Sequence, residues 1–210
     1  MASHATGDGG IPPRDATKRG LKRIMTLGGA YGTRNYTVKN LRDQKGHKVL
    51  VETLPFSVEE AVAADNDCLA DARRAGVTVA MHICRGNNQS KWYAEGGYEP
   101  IAEKLFSGLD VDRFLLEYDT DRAGTFDPLR FVPKDKIVVL GLLSSKEGAL
   151  EDQDELLRRI DEAAKFFPLE NMALSPQCGF ASMAAGNLLT EDEQWRKLEM
   201  VVDTARKVWG

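Results

Sequence analysis

The sequence predicts an α/β fold: parallel β/α units of a TIM-type barrel, of which it holds only the carboxyl-terminal half, preceded by a basic arm. Two observations lead to this prediction. Short runs rich in β-branched residues alternate with longer segments of helical periodicity, which is the pattern of βαβ units around a parallel sheet. The sequence has four such units, which run to the last residue, whereas a closed barrel needs eight units and about 250 residues.

The composition is that of a folded domain and excludes several other classes. Of the 210 residues, 42% are hydrophobic, which is enough for a sizeable core. No run approaches the ~20 apolar residues of a membrane span, and Met1 to Pro13 lack the apolar stretch of a secretory signal. Three cysteines are an odd number without dense pairing, so we expect a reducing, cytoplasmic setting and no membrane partner.

The charge distribution divides the chain into an arm, residues 1–47, and a domain, residues 48–210. Residues 1–48 carry ten Lys or Arg and three Asp, a net charge of +7, whereas the whole chain is at −4. A basic, glycine-containing arm can bind nucleic acid or act as an organelle signal. Its apolar residues are too sparse for an amphipathic helix, so we expect a disordered tail and no nucleic-acid partner.

The first elements of the domain are a strand and a capped helix. A short strand is expected at Lys48–Glu52. Ser57 and Glu60 have the spacing of a capping box and predict a helix from about Val58 to Arg74. Gly76 ends this helix, because glycine adopts the left-handed conformation that often follows a helix.

Four apolar runs predict the strands of the parallel sheet, and a helical segment is expected after each of them. A helix opens at Pro100, another contains the apolar series Leu156 to Phe167, and the last follows a second capping box, Thr190 with Glu193. In the last helix, Trp195 and Val202 are among the residues expected to face inward. The predicted strands are Val77–Met81, Arg113–Glu117, Lys136–Leu143 and Asn171–Ser175.

Potential metal ligands follow three of these strands. They are His82 and Cys84, then Glu117, then Cys178. An imidazole, two thiolates and a carboxylate can hold Zn²⁺ in a tetrahedral arrangement in which a substrate thiol takes one position. The ligands lie too far apart in sequence for a zinc finger, so a parallel sheet must bring the strand ends together. Each residue also has a simpler interpretation as a core or surface side chain, as we expect for Cys68.

The order of these motifs from about Asn66 to Gly210 resembles the carboxyl-terminal catalytic barrel of cobalamin-independent methionine synthases and their shorter single-domain relatives. The resemblance implies a Zn²⁺ site formed by His82, Cys84, Glu117 and Cys178. It also implies transfer of a methyl group from 5-methyltetrahydrofolate (polyglutamate) to homocysteine, or to another small thiol, to form methionine. The matching segments are His82-Ile-Cys84-Arg85-Gly86-Asn87, Phe114-Leu-Leu-Glu117 and Ser175-Pro-Gln-Cys178-Gly179.

The chain departs from that family at the end of the third strand. There the family has a histidine thought to assist protonation of the folate leaving group, whereas this chain has Ser144-Ser145-Lys146. The proton donor is therefore Lys146, water or no group at all, and no catalytic residue is assigned. The alternatives are a truncated, non-catalytic zinc-binding or interaction form and a related thiol alkyltransferase. Because a half-barrel leaves two open sheet edges, we also expect a homo-oligomer or poor solubility.

Overall fold

The computed structural model describes residues 57–74, 76–181 and 186–210. The chain divides into two units between Asp65 and Asn66, and the sheet lies in the second. The basic arm and the predicted strand at Lys48–Glu52 lie outside the described residues. Helix α1, Val58–Arg74, confirms the first predicted helix. The Ser57 hydroxyl accepts a 3.1 Å hydrogen bond from the amide of Glu60, as half of the expected capping box requires.

Among the described residues the sheet has four parallel strands in the order β1-β2-β3-β4, which confirms the predicted parallel α/β arrangement. Sequential order is what successive right-handed β/α crossovers produce in one half of a barrel. A complete barrel is not present among the described residues. The strands are β1 (Ala80–Ile83), β2 (Arg113–Glu117), β3 (Ile137–Leu143) and β4 (Met172–Pro176).

The first strand begins three residues later than the sequence pattern indicates. The prediction was Val77–Met81, but pairing with β2 starts at Ala80. The Asp112 carboxylate accepts a 2.7 Å hydrogen bond from the Val79 amide, and the Val79 carbonyl accepts from the Asp112 amide at 2.8 Å. This side-chain contact replaces a ladder bond at the entry to the strand. His82 consequently lies within β1, and Cys84 lies just beyond it.

Three of the four strands are followed by an α-helix: α2 (Ala102–Gly108), α3 (Gln153–Ala163) and α4 (Glu191–Trp209). The connection from β2 to β3 has two 3-10 helices, Asp121–Ala123 and Asp127–Phe131, in place of the expected helical unit. Gly124 between them has a φ of 76°, and Pro128 lies in the second. A left-handed residue and a proline so close together do not permit a continuous α-helix.

The two faces of the sheet differ in their environment. One face is buried, and its residues include Phe114, Leu116, Val138 and Leu140. Phe106 of α2 packs edge-on against Phe114, with ring centroids 5.2 Å apart. The other face carries His82, Leu115, Val139 and Ala173 in one row across the strands, and all four remain partly accessible. In a closed barrel this second face would line the interior.

Candidate metal centre

Three of the predicted ligands meet on the open face, at the carboxyl ends of the strands. The ligand atoms of His82, Cys84 and Cys178 all lie within 4.8 Å of one another. The His82 Nε2 atom is 3.3 Å from the Cys178 sulfur. In a flat sheet, β1 and β4 would be about 14 Å apart, at ~4.8 Å per strand spacing. The His82 side chain and the loop that carries Cys178 beyond the end of β4 together bridge this separation.

The turn after β1 sets the position of Cys84. The Gly86 amide donates a 3.4 Å hydrogen bond to the Cys84 sulfur. Gly86 has a φ of 97°, and a Cβ atom at this position would lie 2.3 Å from the ring of Tyr93. Only glycine permits both this backbone conformation and this close packing. Gly86 thus allows the chain to turn back while its amide faces the thiol.

Hydrogen bonds among the three side chains of the cluster shift the pKa of each of them. The hydrogen bond from Cys178, followed by that from His82, lowers the pKa of Cys84 to about 4. The same bond to Cys84 raises the pKa of Cys178. The hydrogen bond to Cys84 also raises the pKa of His82, against the effect of burial. Their mutual hydrogen bond therefore moves the pKa values of the two thiols apart, downward for Cys84 and upward for Cys178.

Glu117, the fourth predicted ligand, is oriented toward cations rather than toward the cluster. Its side chain is fully buried, at 0% exposure. One carboxylate oxygen accepts from the Arg85 amide at 2.5 Å, and the other accepts from Arg122 and, at 3.4 Å, from Lys146. Burial raises the pKa of Glu117, but these hydrogen bonds and charges outweigh it, so the pKa lies below its usual value. Its role as a ligand stays a prediction.

The cations around Glu117 form a buried network beside the cluster. Arg122 also reaches Asp119 at 3.2 Å, and its guanidinium stacks on the ring of Trp92 at 4.4 Å. Arg85 stacks on the ring of Tyr98 at 4.2 Å. Lys146, which is one of the three alternatives to the missing histidine, is only 4% exposed.

The sequence analysis gave no role to Arg85, Arg122 or Asp119. The one feature of the sequence that could have pointed to them is that each is a charged residue in a loop that directly follows an apolar strand. Such a pattern does not say which carboxylate an arginine will contact.

A cavity of about 300 Å³ opens beside the cluster on the same face. His82, Leu115, Gln177 and Cys178 are among its lining residues. Its lining combines a nitrogen and a sulfur ligand with the apolar side chain of Leu115. Such a cavity suits a small molecule with a thiol at one end.

No helix of the described residues is both long enough and apolar enough to cross a membrane.

Comparisons with known proteins find relatives that this chain matches over about half of their length. No family model matches the chain. The uncharacterized protein YxjH of Bacillus subtilis is 47% identical over an alignment of 202 residues that covers 92% of this chain and 52% of YxjH. The uncharacterized protein YxjG of the same organism is 54% identical over 159 residues, 75% of this chain and 42% of YxjG. The chain thus spans about half the length of these curated relatives, and the YxjH match extends into the first 47 residues.

Two solved structures share the fold. A putative vitamin-B12-independent methionine synthase from Listeria monocytogenes aligns at a TM-score of 0.56 and 35% identity, over 77% of this chain and 44% of that one. A B12-independent methionine synthase from Shewanella sp. W3-18-1, solved with selenomethionine, aligns at a TM-score of 0.55 and 18% identity, over 70% of this chain and 42% of that one. The parallel sheet therefore relates this chain in fold to proteins of the cobalamin-independent methionine synthase type.

Proposed function

We propose that His82, Cys84 and Cys178 hold one Zn²⁺ and that the protein methylates a small thiol. The acceptor would be homocysteine and the donor a methyl-folate, as the Listeria and Shewanella likenesses suggest. The observation that carries the proposal is the convergence of one imidazole and two sulfurs within 4.8 Å. Catalytic zinc sites characteristically have three protein ligands and an open position.

The donor set fits zinc in its chemistry. Sulfur and imidazole ligands favour zinc over the hard cations Mg²⁺ and Ca²⁺, which prefer oxygen. When bound, zinc would keep the substrate thiol deprotonated at neutral pH, where a free thiol of pKa near 8.5 is mostly protonated. Glu117 is the candidate fourth ligand, and its Oε1 atom accepts from Arg122 and Lys146.

The chain's own residues supply the rest of the proposed site. The cavity beside His82 and Cys178 would receive the thiol substrate, with Leu115 against its apolar part. Lys146 is a buried cation at the end of β3, where a proton donor to the leaving group would be needed. The Cys84 and Cys178 thiols would stay reduced in a cytoplasmic setting, which we propose for this protein.

Metal analysis combined with a thiol titration tests the proposal. We expect about one zinc per chain after dialysis, by elemental analysis. In the cobalt-substituted protein, homocysteine should change the visible absorption, because a further sulfur enters the metal's coordination sphere. An alcohol analogue, homoserine, is the matched control and should leave the spectrum unchanged. A spectrum that does not respond to any thiol would refute thiol activation.

A second candidate function is metal binding without methyl transfer. The open face of the sheet favours it, because within the described residues no second layer covers the cavity that would hold both substrates. The two candidates differ in one measurement. Methionine formed from homocysteine and a methyl-folate supports the methyltransferase. Zinc and thiol binding without methionine supports the non-catalytic form.

A further inference from the structure

Ser145 lies where three loops of the candidate site meet. It follows β3 by two residues and is 0% exposed. Its hydroxyl accepts from the side-chain amide of Gln177 at 2.9 Å and from that of Asn87 at 3.4 Å. Its carbonyl accepts from the side-chain amide of Asn187 at 2.7 Å. Three separate segments thus donate to one residue.

These donors belong to the loops that carry the cysteines. Asn87 comes three residues after Cys84, and Gln177 directly precedes Cys178. Within the described residues the Gln177 Oε1 atom has no hydrogen-bond partner, so the bond to Ser145 alone fixes this buried amide.

The Gly179 carbonyl connects the same loops a second time. It accepts from Asn187 at 3.2 Å and, at the limit of a hydrogen bond, from Asn87 at 3.5 Å. Both asparagines therefore join the Ser145 segment to the residue that follows Cys178.

Such bracing is needed because β1 and β4 are not neighbours. The two strands lie at opposite ends of the four-stranded sheet, so no ladder of backbone hydrogen bonds holds Cys84 against Cys178. Zinc coordination tolerates only about 0.2 Å of variation in ligand distances. A site assembled from the two outermost strands needs another fixed point between its loops, and Ser145 at the end of β3 provides one.

We propose that Ser145 is a positioning residue that holds the Cys84 and Cys178 loops at the separation required by a bound metal. The inference depends on the proposed function, because it presumes that these cysteines bind zinc. In this role Ser145 touches neither metal nor substrate and acts only through Gln177 and Asn87. Outer hydrogen-bond partners of this kind tune metal affinity, and their loss typically weakens it about 10- to 100-fold.

The test is the zinc affinity of Ser145→Ala, measured by competition with a chromophoric chelator. We expect affinity about 10- to 100-fold below wild type. The cobalt-substituted variant should also show a shifted and weaker sulfur-to-cobalt band, which a loss of global stability alone does not produce. The matched control is Ser107→Ala, which removes an exposed helical hydroxyl that bonds only its own helix and should retain wild-type affinity.

Asn87→Asp is a second variant that tests the same role if Ser145→Ala does not fold. It removes the amide donor to Ser145 but retains the oxygen that accepts from the Ser90 amide at 3.2 Å. We expect weaker zinc binding here too, although the added negative charge alone would favour a cation. Wild-type affinity in both folded variants overturns the positioning role and leaves the proposed zinc site intact. Absence of zinc from the wild-type protein overturns both.

Discussion

The two faces of the sheet are built from the same four strands but differ in chemistry. The helix-covered face is apolar and closed, and Phe114 and Leu140 are fully buried there. The open face carries His82 and Glu117, with Cys84 and Cys178 at the strand ends. Because side chains alternate along each strand, one sequence run serves both faces at once. Stability and chemistry are therefore separable by residue, and single substitutions can test that separation.

The largest effect is expected from the cysteines of the open face. Cys84→Ser and Cys178→Ser each exchange a thiolate for a weak neutral donor, so zinc occupancy should fall from about one per chain to near zero under dialysis against a chelator. Cys68→Ser is the control, since Cys68 lies on α1, outside the cluster. Equal zinc loss in all three variants would contradict the assignment of ligands.

The second-largest effect is a difference in the free energy of unfolding between substitutions of two adjacent residues, Phe114 and Leu115, which lie on opposite faces. Phe114→Ala should lower the free energy of unfolding by about 3–5 kcal/mol, because it empties a closed site against Phe106. Leu115→Ala should cost less, since Leu115 is partly accessible on the open face and loses less buried area. Urea denaturation of both variants measures the difference. Similar losses would mean that the open face is covered in solution, as in an oligomer.

A smaller effect is expected at Lys146. Lys146→Met retains the buried aliphatic volume and removes the charge beside Glu117, which keeps its contacts with Arg122 and the Arg85 amide. We expect zinc to remain bound and methyl transfer to homocysteine to fall about 100-fold, at the lower end of general acid catalysis. The exposed Lys165→Met is the control. An unchanged rate of methionine formation would exclude Lys146 and leave water or no group as the alternatives.

The smallest effect concerns the other end of the sheet. The hydrogen bond from the Val79 amide and then the Arg73 guanidinium lower the pKa of Asp112. Its folded pKa lies below the unfolded value, so its stabilisation is present above about pH 4 and is lost as the pH falls through the folded value. Unfolding midpoints of wild type and Asp112→Asn should therefore differ at about pH 6 and converge near pH 2. A constant difference would exclude this titration.

The sequence predicted the strands well where apolar pattern decides the outcome. The bounds of β2 match those predicted, because the apolar run Phe114–Leu116 has a charged residue at each end, Arg113 and Glu117. The bounds of β1 shifted because the Asp112 carboxylate accepts the hydrogen bond of the Val79 amide. The capping box of Thr190 and Glu193 is present as predicted, since it depends on residues only three apart.

Predictions that depend on tertiary contacts were less accurate. Helical periodicity placed Trp195 and Val202 inward, yet they are 59% and 45% exposed. Lys197 is buried instead, where its ammonium reaches Glu151 at 2.8 Å. The same limit holds at the site. Sequence brought His82, Cys84 and Cys178 together, but the partners of Glu117 depend on where Arg122 and Lys146 reach, which no local pattern specifies.

The contact between His82 and Cys178 has a consequence for chain topology. The two residues are 96 positions apart, so an ion bound to both would close a loop through nearly half of the polypeptide. A covalent link across a 100-residue loop reduces the entropy of the unfolded chain by an amount equivalent to about 4.7 kcal/mol. A metal that stays bound only in the folded state would act in the same direction as such a link. Its removal should then be felt across the whole sheet, including strands that contribute no ligand.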